Sequence, residues 1–281
     1  MTRRVLALAL VAAAACQPPS PPRFQGAVIG ATAVAIDTRG TTVRTGEAAI
    51  GDYMADSLRT ATTAMGYDVS LALINSGAIR GGAVVVETVP VTVAAKLGRI
   101  YPPGPLTDLD VIGWFPFRDQ EDLLDATGRQ LKGALERGAA QLPPDLRDDA
   151  GGPLLQLSGG AYTIDCGGTV QLIDAAAGTV VREGTRVVRL EVGGVVLYDA
   201  AAGVDLLDAT RVRLVVNDFV ADGLDGHVTL AAAAGIVELP YDQLNLQSVL
   251  VAAVAAGSPI APHVDGRITI LGDCGQPLSL P

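Results

Sequence analysis

Few residues in this sequence are equipped for bond-breaking chemistry. Its two histidines, His227 and His263, stand alone, with no Asp-x-His, Gly-Asn-His or His-x-His arrangement around either. A dinuclear hydrolytic centre draws on several His and Asp ligands, so two isolated histidines exclude one built by this chain alone. There is no Gly-x-Ser-x-Gly elbow, and Ser76 and Ser158, each followed by glycine, read as turn residues. The glycine-rich turns lack a P-loop lysine. No catalytic constellation stands by itself, and no cofactor or metal is expected.

What remains is a set of polar and aromatic turns at strand ends. In Ile74-Asn75-Ser76-Gly77-Ala78-Ile79-Arg80-Gly81-Gly82 a buried strand stops and sets an amide, a flexible turn and a guanidinium within a few residues. Val216-Asn217-Asp218-Phe219 continues through Val220-Ala221-Asp222-Gly223 to Leu224-Asp225-Gly226-His227, again closing an apolar run.

The elements that must position these turns are legible from periodicity. Ile50, Met54, Leu58 and Ala61 recur with helical spacing between Glu47 and Met65, predicting an amphipathic helix that stops at Gly66. Val69 to Ile74 follows as a short buried strand. Thr127 and Gln130 form a capping-box pair that starts a second helix, with Leu131, Ala134 and Leu135 on its buried stripe and its end between Gly138 and Leu142. A third helix is expected over Leu244 to Ala256, capped by Asp242, with Gly257 beyond its end and Pro259 barring continuation. Strands are expected at 186–192 and 195–198, joined by a Gly193-Gly194 hairpin, and at 211–217 and 267–271. Helices alternating irregularly with hairpins predict an α+β domain with a mixed β-sheet and flanking helices.

The N-terminus predicts export. Arg3 and Arg4 precede an apolar run from Val5 to Ala15, whose helical length of about 16 Å is about half of a ~30 Å hydrocarbon core. That makes 1–15 a signal peptide and no spanning anchor. Cys16 follows Ala13-Ala14-Ala15 and leads into Gln17-Pro18-Pro19-Ser20-Pro21-Pro22, similar to a bacterial lipobox with its tether. Lipidated Cys16 and a Pro-rich tether would fill 16–25, one domain 26–272, and a tail 273–281. The alternative is ordinary cleavage after Ala15, which leaves Cys16 a free thiol. Lipidation leaves Cys166 and Cys274 as an even pair that an oxidising compartment would let bridge, the other state being two buried thiols. The expected location is a bacterial membrane surface facing the periplasm or the outside.

Net charge is −10, and losing Arg3 and Arg4 with the signal makes it −12. Such a surface repels nucleic acid polymers, although local arginines still decide whether a small anion binds.

The Asn75–Arg80 segment resembles the Asn-x-Gly-x-Ile-Arg segment in the C-terminal domain of 5'-nucleotidases, the family of periplasmic UDP-sugar hydrolases and ecto-5'-nucleotidases. Further blocks resemble that domain in the same order. Val43-Arg44 precedes Gly51-Asp52-Tyr53-Met54-Ala55-Asp56; Trp114-Phe115-Pro116-Phe117 is followed by Thr127-Gly128-Arg129-Gln130-Leu131. Then come Leu157-Ser158-Gly159-Gly160-Ala161-Tyr162, the Asn217–His227 block and Asp265-Gly266-Arg267-Ile268. Together they cover nearly the whole mature chain.

The resemblance implies a domain that binds the nucleoside end of a nucleotide while a separate metallophosphatase domain cleaves the phosphate. Phe117 and Phe219 would sandwich the base, since aromatic stacking tolerates base identity. Asp225 would accept from the ribose hydroxyls, Asn75 would bond the base, Gly77 would form the turn, and Arg44 and Arg80 would face ribose or phosphate. Taken singly, these residues have plain structural uses too: Phe in a core, Asn and Asp in turns, Arg on a surface. Leu224, standing where the family has glycine, is expected to bring a side chain to where backbone approaches the ligand; His227 replaces an aromatic residue and Ala78 a glycine. The catalytic half has no place between Cys16 and Gly26. The expected function is therefore nucleoside or nucleotide binding without that half; the alternatives are the substrate-binding half of a split nucleotidase completed by a separate metallophosphatase protein, and a structural or interaction lipoprotein.

Overall fold

The computed structural model describes residues 26–81, 98–143 and 152–275. The expected signal segment, Cys16, the tether and most of the expected tail lie outside them.

A five-stranded mixed sheet organises the molecule, in the spatial order Ala234–Glu238, Glu121–Thr127, Arg211–Asn217, Leu71–Asn75, Leu155–Ser158. Arg211–Asn217 runs parallel to Leu71–Asn75 and antiparallel to Glu121–Thr127, with Asn217 opposite Glu121. Leu71–Asn75 runs antiparallel to Leu155–Ser158, with Asn75 opposite Leu155.

Side chains alternate faces along a strand, so these strands feed two cores. Leu71, Leu73, Leu124, Leu155, Leu157, Leu214 and Val216 join one core together with Leu131, Ala134 and Leu135 of the helix Gly128–Ala140. Ala72, Ile74, Leu123 and Val215 point to the other, built from Ile50, Met54 and Leu58 of the helix Ala49–Ala64 and Leu250 and Val254 of Leu246–Gly257. Apart from the exposed edge strand Ala234–Glu238, the sheet is covered on both faces, which is why a strand such as Leu71–Asn75 reads as a continuous apolar run.

A second five-stranded sheet, in the order Val204–Asp205, Val195–Asp199, Val187–Val192, Gly160–Asp165, Ile268–Leu271, contributes Tyr162, Ile164 and Leu190 to the first core. Its hairpin turns at Gly193 and Gly194, both at positive φ, the backbone a tight two-residue turn demands. Cys166 and Cys274 are bonded, with Cα atoms 5.1 Å apart.

The capping box is present: Thr127 Oγ1 accepts from the Gln130 amide, and Gln130 Oε1 accepts from the Thr127 amide. The third helix corrects the expectation. It runs Leu246–Gly257 and is capped by Asn245, whose side chain accepts from the Ser248 amide at 2.9 Å; Asp242 is not the cap, and Gly257 is the last helical residue. Both Asp242 and Asn245 are good N-caps, and the sequence had no means to rank them.

Several of the resemblance blocks turn out to be architecture. Gly51 faces Gln156, whose side chain leaves no space for a Cβ there. Arg267 reaches from the return of the chain to Asp56 at 2.8 Å, joining two blocks far apart in sequence.

Candidate functional site

Two parallel strands end at the same edge of the central sheet, and everything that follows them collects there. Leu71–Asn75 leads into the 3-10 turn Ser76–Ala78 and on to Arg80. Arg211–Asn217 leads into the short helix Asp218–Ala221, which carries Phe219. The antiparallel neighbours begin at that edge, so the segments entering them, with Phe117 and Asp119 before Glu121 and Gly152 before Leu155, arrive at the same place. The crevice outside the carboxyl ends of such strands is where open sheets bind ligands.

A cavity of about 240 Å³ lies there, lined by Asn75, Gly77, Ala78, Arg80, Phe117, Asp119, Phe219 and Asp225. Six of the seven residues expected from sequence are in that lining. Arg44 is not; it caps the helix Gly40–Val43, is buried, and acts on the cavity through its charge beside Asp225. The two phenylalanines come from opposite sides of the sheet, Phe117 packed on one core and Phe219 on the other. Arg80 lies 5.4 Å from the centroid of the Phe117 ring, within cation–π range, and donates to the Ile79 carbonyl.

Asp225 has an unusual backbone. Its φ of 55° makes it the one positive-φ non-glycine among the described residues, between Gly223 and Gly226, which also take positive φ. Asp tolerates this region better than most residues, and such conformations collect at ligand sites. Burial raises its pKa, against the Asn75 hydrogen bond and the charges of Arg137, Arg44 and Arg80.

A side-chain relay crosses the site. Asn75 donates to Asp225 Oδ2 at 3.3 Å and accepts from Asn217 Nδ2 at 3.4 Å, and the same Nδ2 donates to Asp119 Oδ2 at 3.0 Å. Neither Asn217 nor Asp119 is singled out by sequence reasoning. The available signals were the position of Asp119 two residues after Phe117 in an extended stretch, and of Asn217 as the N-cap of the helix bearing Phe219. Burial and the charge of Asp218 push Asp119 up to about 6. Completely buried Glu121 behind it is raised further, to about 8, by burial and neighbouring acids, so it carries a proton at neutral pH.

Leu224 is half exposed and outside the cavity lining, contrary to the expectation that it would crowd the ligand. His227 is fully buried, and burial with nearby Arg137 lowers its pKa to about 3, so it is neutral core.

Among the described residues, one acidic group has metal-ligand spacing: Glu47, Asp52 and Asp265, with ligand atoms within 4.8 Å of one another. None lines the cavity. Glu47 accepts from the amides of Asp265, Gly266 and Ile268, and both Asp265 oxygens face Arg267, so the group works as a clasp on the returning chain. A larger, more open groove of about 920 Å³ runs between the helices Ala49–Ala64 and Leu246–Gly257 over Ala61, Met65, Val249 and Ala253, and gathers none of the expected ligand residues.

The chain matches the family model described as 5'-nucleotidase, C-terminal domain, over residues 28–232. It is 26% identical over 241 residues to the trifunctional nucleotide phosphoesterase protein YfkN of Bacillus subtilis (strain 168), covering 85% of this chain and 14% of that protein. It superposes on the crystal structure of a 5'-nucleotidase precursor from Thermus thermophilus with a TM-score of 0.65 and 25% identity, over 88% of this chain and 40% of that one. The fold is shared with Haemophilus influenzae NAD nucleotidase, at a TM-score of 0.57 and 17% identity, over 88% of this chain and 38% of that one. The chain thus spans well under half the length of these relatives.

Proposed function

This chain belongs to the 5'-nucleotidase C-terminal-domain family, and from that premise we propose that it is a nucleoside- or nucleotide-recognition domain held at a membrane surface by a lipid on Cys16. One observation carries the binding half of this reading: Asn75, Gly77, Arg80, Phe117, Phe219 and Asp225, drawn from three separate turns, line a single cavity.

The chemistry of that lining suits a nucleoside. Two aromatic rings offer stacking, worth roughly 1–3 kcal/mol per base. Asp225, which accepts from the Asn75 amide and has three arginines in its surroundings, takes the ribose hydroxyls. Arg80 brings a positive charge to the cavity lining that suits a phosphate, and it answers locally the overall −10 that repels polyanions. Asn75 serves first as the positioner of Asp225, its amide donating to that carboxylate.

Calorimetry with adenosine, AMP and UDP-glucose tests the reading. Heat of binding is expected from at least the nucleoside and nucleotide; no heat from any of the three would sink it.

A second reading is the substrate-binding half of a split nucleotidase, completed by a separate metallophosphatase protein. It predicts no phosphate release from AMP with added Mn or Zn until a separate metallophosphatase protein is mixed in.

A further inference from the structure

Asp119 occupies a place that the ribose and phosphate do not explain. It lines the cavity with the two phenylalanines and is tied to the turns that carry both, standing two residues after Phe117 and accepting from Asn217, the cap of the helix that bears Phe219. Its electrostatic surroundings are opposite to those of Asp225. The arginines Arg137, Arg44 and Arg80 act on Asp225, whereas the charge that acts on Asp119 is another carboxylate, Asp218. A phosphate placed against Asp119 and Asp218 would be repelled, so this side of the cavity faces the base.

The carboxylate is also aimed. Asn217 Oδ1 accepts from the Val220 amide, which fixes the amide group so that Nδ2 must face Asn75 and Asp119. A carboxylate has about four acceptor sites and Asn217 takes one of those on Asp119, leaving the others for a ligand. With a pKa of about 6, the group is mostly ionised at neutral pH and so offers acceptors only.

We infer that Asp119 selects the base, its carboxylate accepting the adjacent N1–H and exocyclic N2–H of guanine, so that the cavity prefers guanine nucleosides over adenine ones. Guanine alone among the common bases presents two neighbouring donors on that edge. Hypoxanthine presents one. Adenine and cytosine set an acceptor nitrogen beside their amino group, and it would point at the carboxylate. This inference rests on the reading of the cavity as a nucleoside site and names its specificity.

The test is calorimetry at pH 7.5 with guanosine, inosine, 1-methylguanosine and adenosine, on the native chain and on Asp119→Asn. The native chain should bind guanosine most tightly, by about tenfold or more over adenosine and 1-methylguanosine, with inosine between. Asp119→Asn keeps an acceptor for Asn217 and should weaken guanosine while strengthening adenosine, whose N1 then meets an amide N–H, so that the preference for guanosine is lost. Equal binding of guanosine and adenosine by the native chain, or a preference that survives in Asp119→Asn, overturns the assignment and leaves the nucleoside reading standing. Silence from all four nucleosides overturns both. The comparison of guanosine with 1-methylguanosine needs no variant, so it decides the matter even if Asp119→Asn does not fold.

Discussion

Gly77 and Gly152 face each other so closely that a Cβ on Gly77 would lie 2.9 Å from the Gly152 Cα, and one on Gly152 would lie 2.7 Å from the Gly77 Cα. The same two Cβ positions approach Asp225 Oδ2 to 3.2 and 2.9 Å. The Gly77 amide also donates to the Gly152 carbonyl at 2.8 Å. The glycines therefore let two backbones close under the carboxylate, and the shape of the cavity depends on them.

Gly77→Ala should force these segments apart. We expect a loss of stability of about 1–3 kcal/mol, the usual cost of overpacking a closed contact, read by urea unfolding. Nucleoside affinity should fall by about tenfold, or 1.4 kcal/mol, because Asp225 moves with the turn. An unchanged affinity would mean that the carboxylate is not part of the site.

Phe117→Ala and Phe219→Ala should each weaken nucleoside binding by roughly 1–3 kcal/mol, the range for a lost base–aromatic stack. A free-ribose control should be indifferent to both. If only one substitution matters by calorimetry, the base rests on a single ring and the clamp is wrong.

Asp225→Asn retains a residue that tolerates positive φ and removes a half-buried carboxyl group whose pKa burial raises. The melting temperature should hold or rise. Binding should drop by about 1.5–3 kcal/mol, the range for hydrogen bonds to an ionised partner. The native chain should discriminate against 2',3'-dideoxynucleosides, and the variant should not.

Asp52 gives a pH prediction. Burial, and then the nearby Glu47 carboxylate against the attraction of Arg267, raise its pKa from 3.8 to about 8. Between those values the folded state keeps a proton that the unfolded chain releases, so the contribution of this group to stability is greatest at low pH and is lost as pH rises toward 8. The slope is about 1.4 kcal/mol per pH unit at most. Asp52→Asn should remove that component, and urea unfolding at pH 5 and pH 8 should find the variant gaining on the native chain at the higher pH. A parallel pH response of the two proteins would show that Asp52 is ionised in the fold.

Cys16→Ser should move the full-length protein from the membrane fraction to the soluble one. Retention with the membrane would show that something other than a lipid on Cys16 holds it there.

Much of the fold was written locally. The capping box of Thr127 and Gln130 uses residues three apart, the Gly193-Gly194 turn uses adjacent ones, and the strand 211–217 shows in its β-branched and apolar Val212 and Leu214 to Val216. Each is decided by near neighbours, so a linear reading suffices. The cap of the last helix was misread because Asp242 and Asn245 satisfy the same local rule, and the packing of Leu246, Leu250 and Val254 chooses between them. The residues that line the cavity were legible for a different reason. Their order along the chain resembled a known family, whereas their types alone also allowed core and turn.

The sequence by itself determined the element types, the absence of histidine clusters and the chain order of the polar and aromatic turns. Tertiary structure decided what those turns share. Asn75, Asn217, Asp119 and Asp225 become one relay only because two parallel strands end at the same sheet edge. It also decided that Leu224 stays outside the cavity, that His227 is neutral core, and that Asp52 keeps its proton. Burial and cross-chain charge are sums over residues distant in sequence, and no spacing along the chain encodes them.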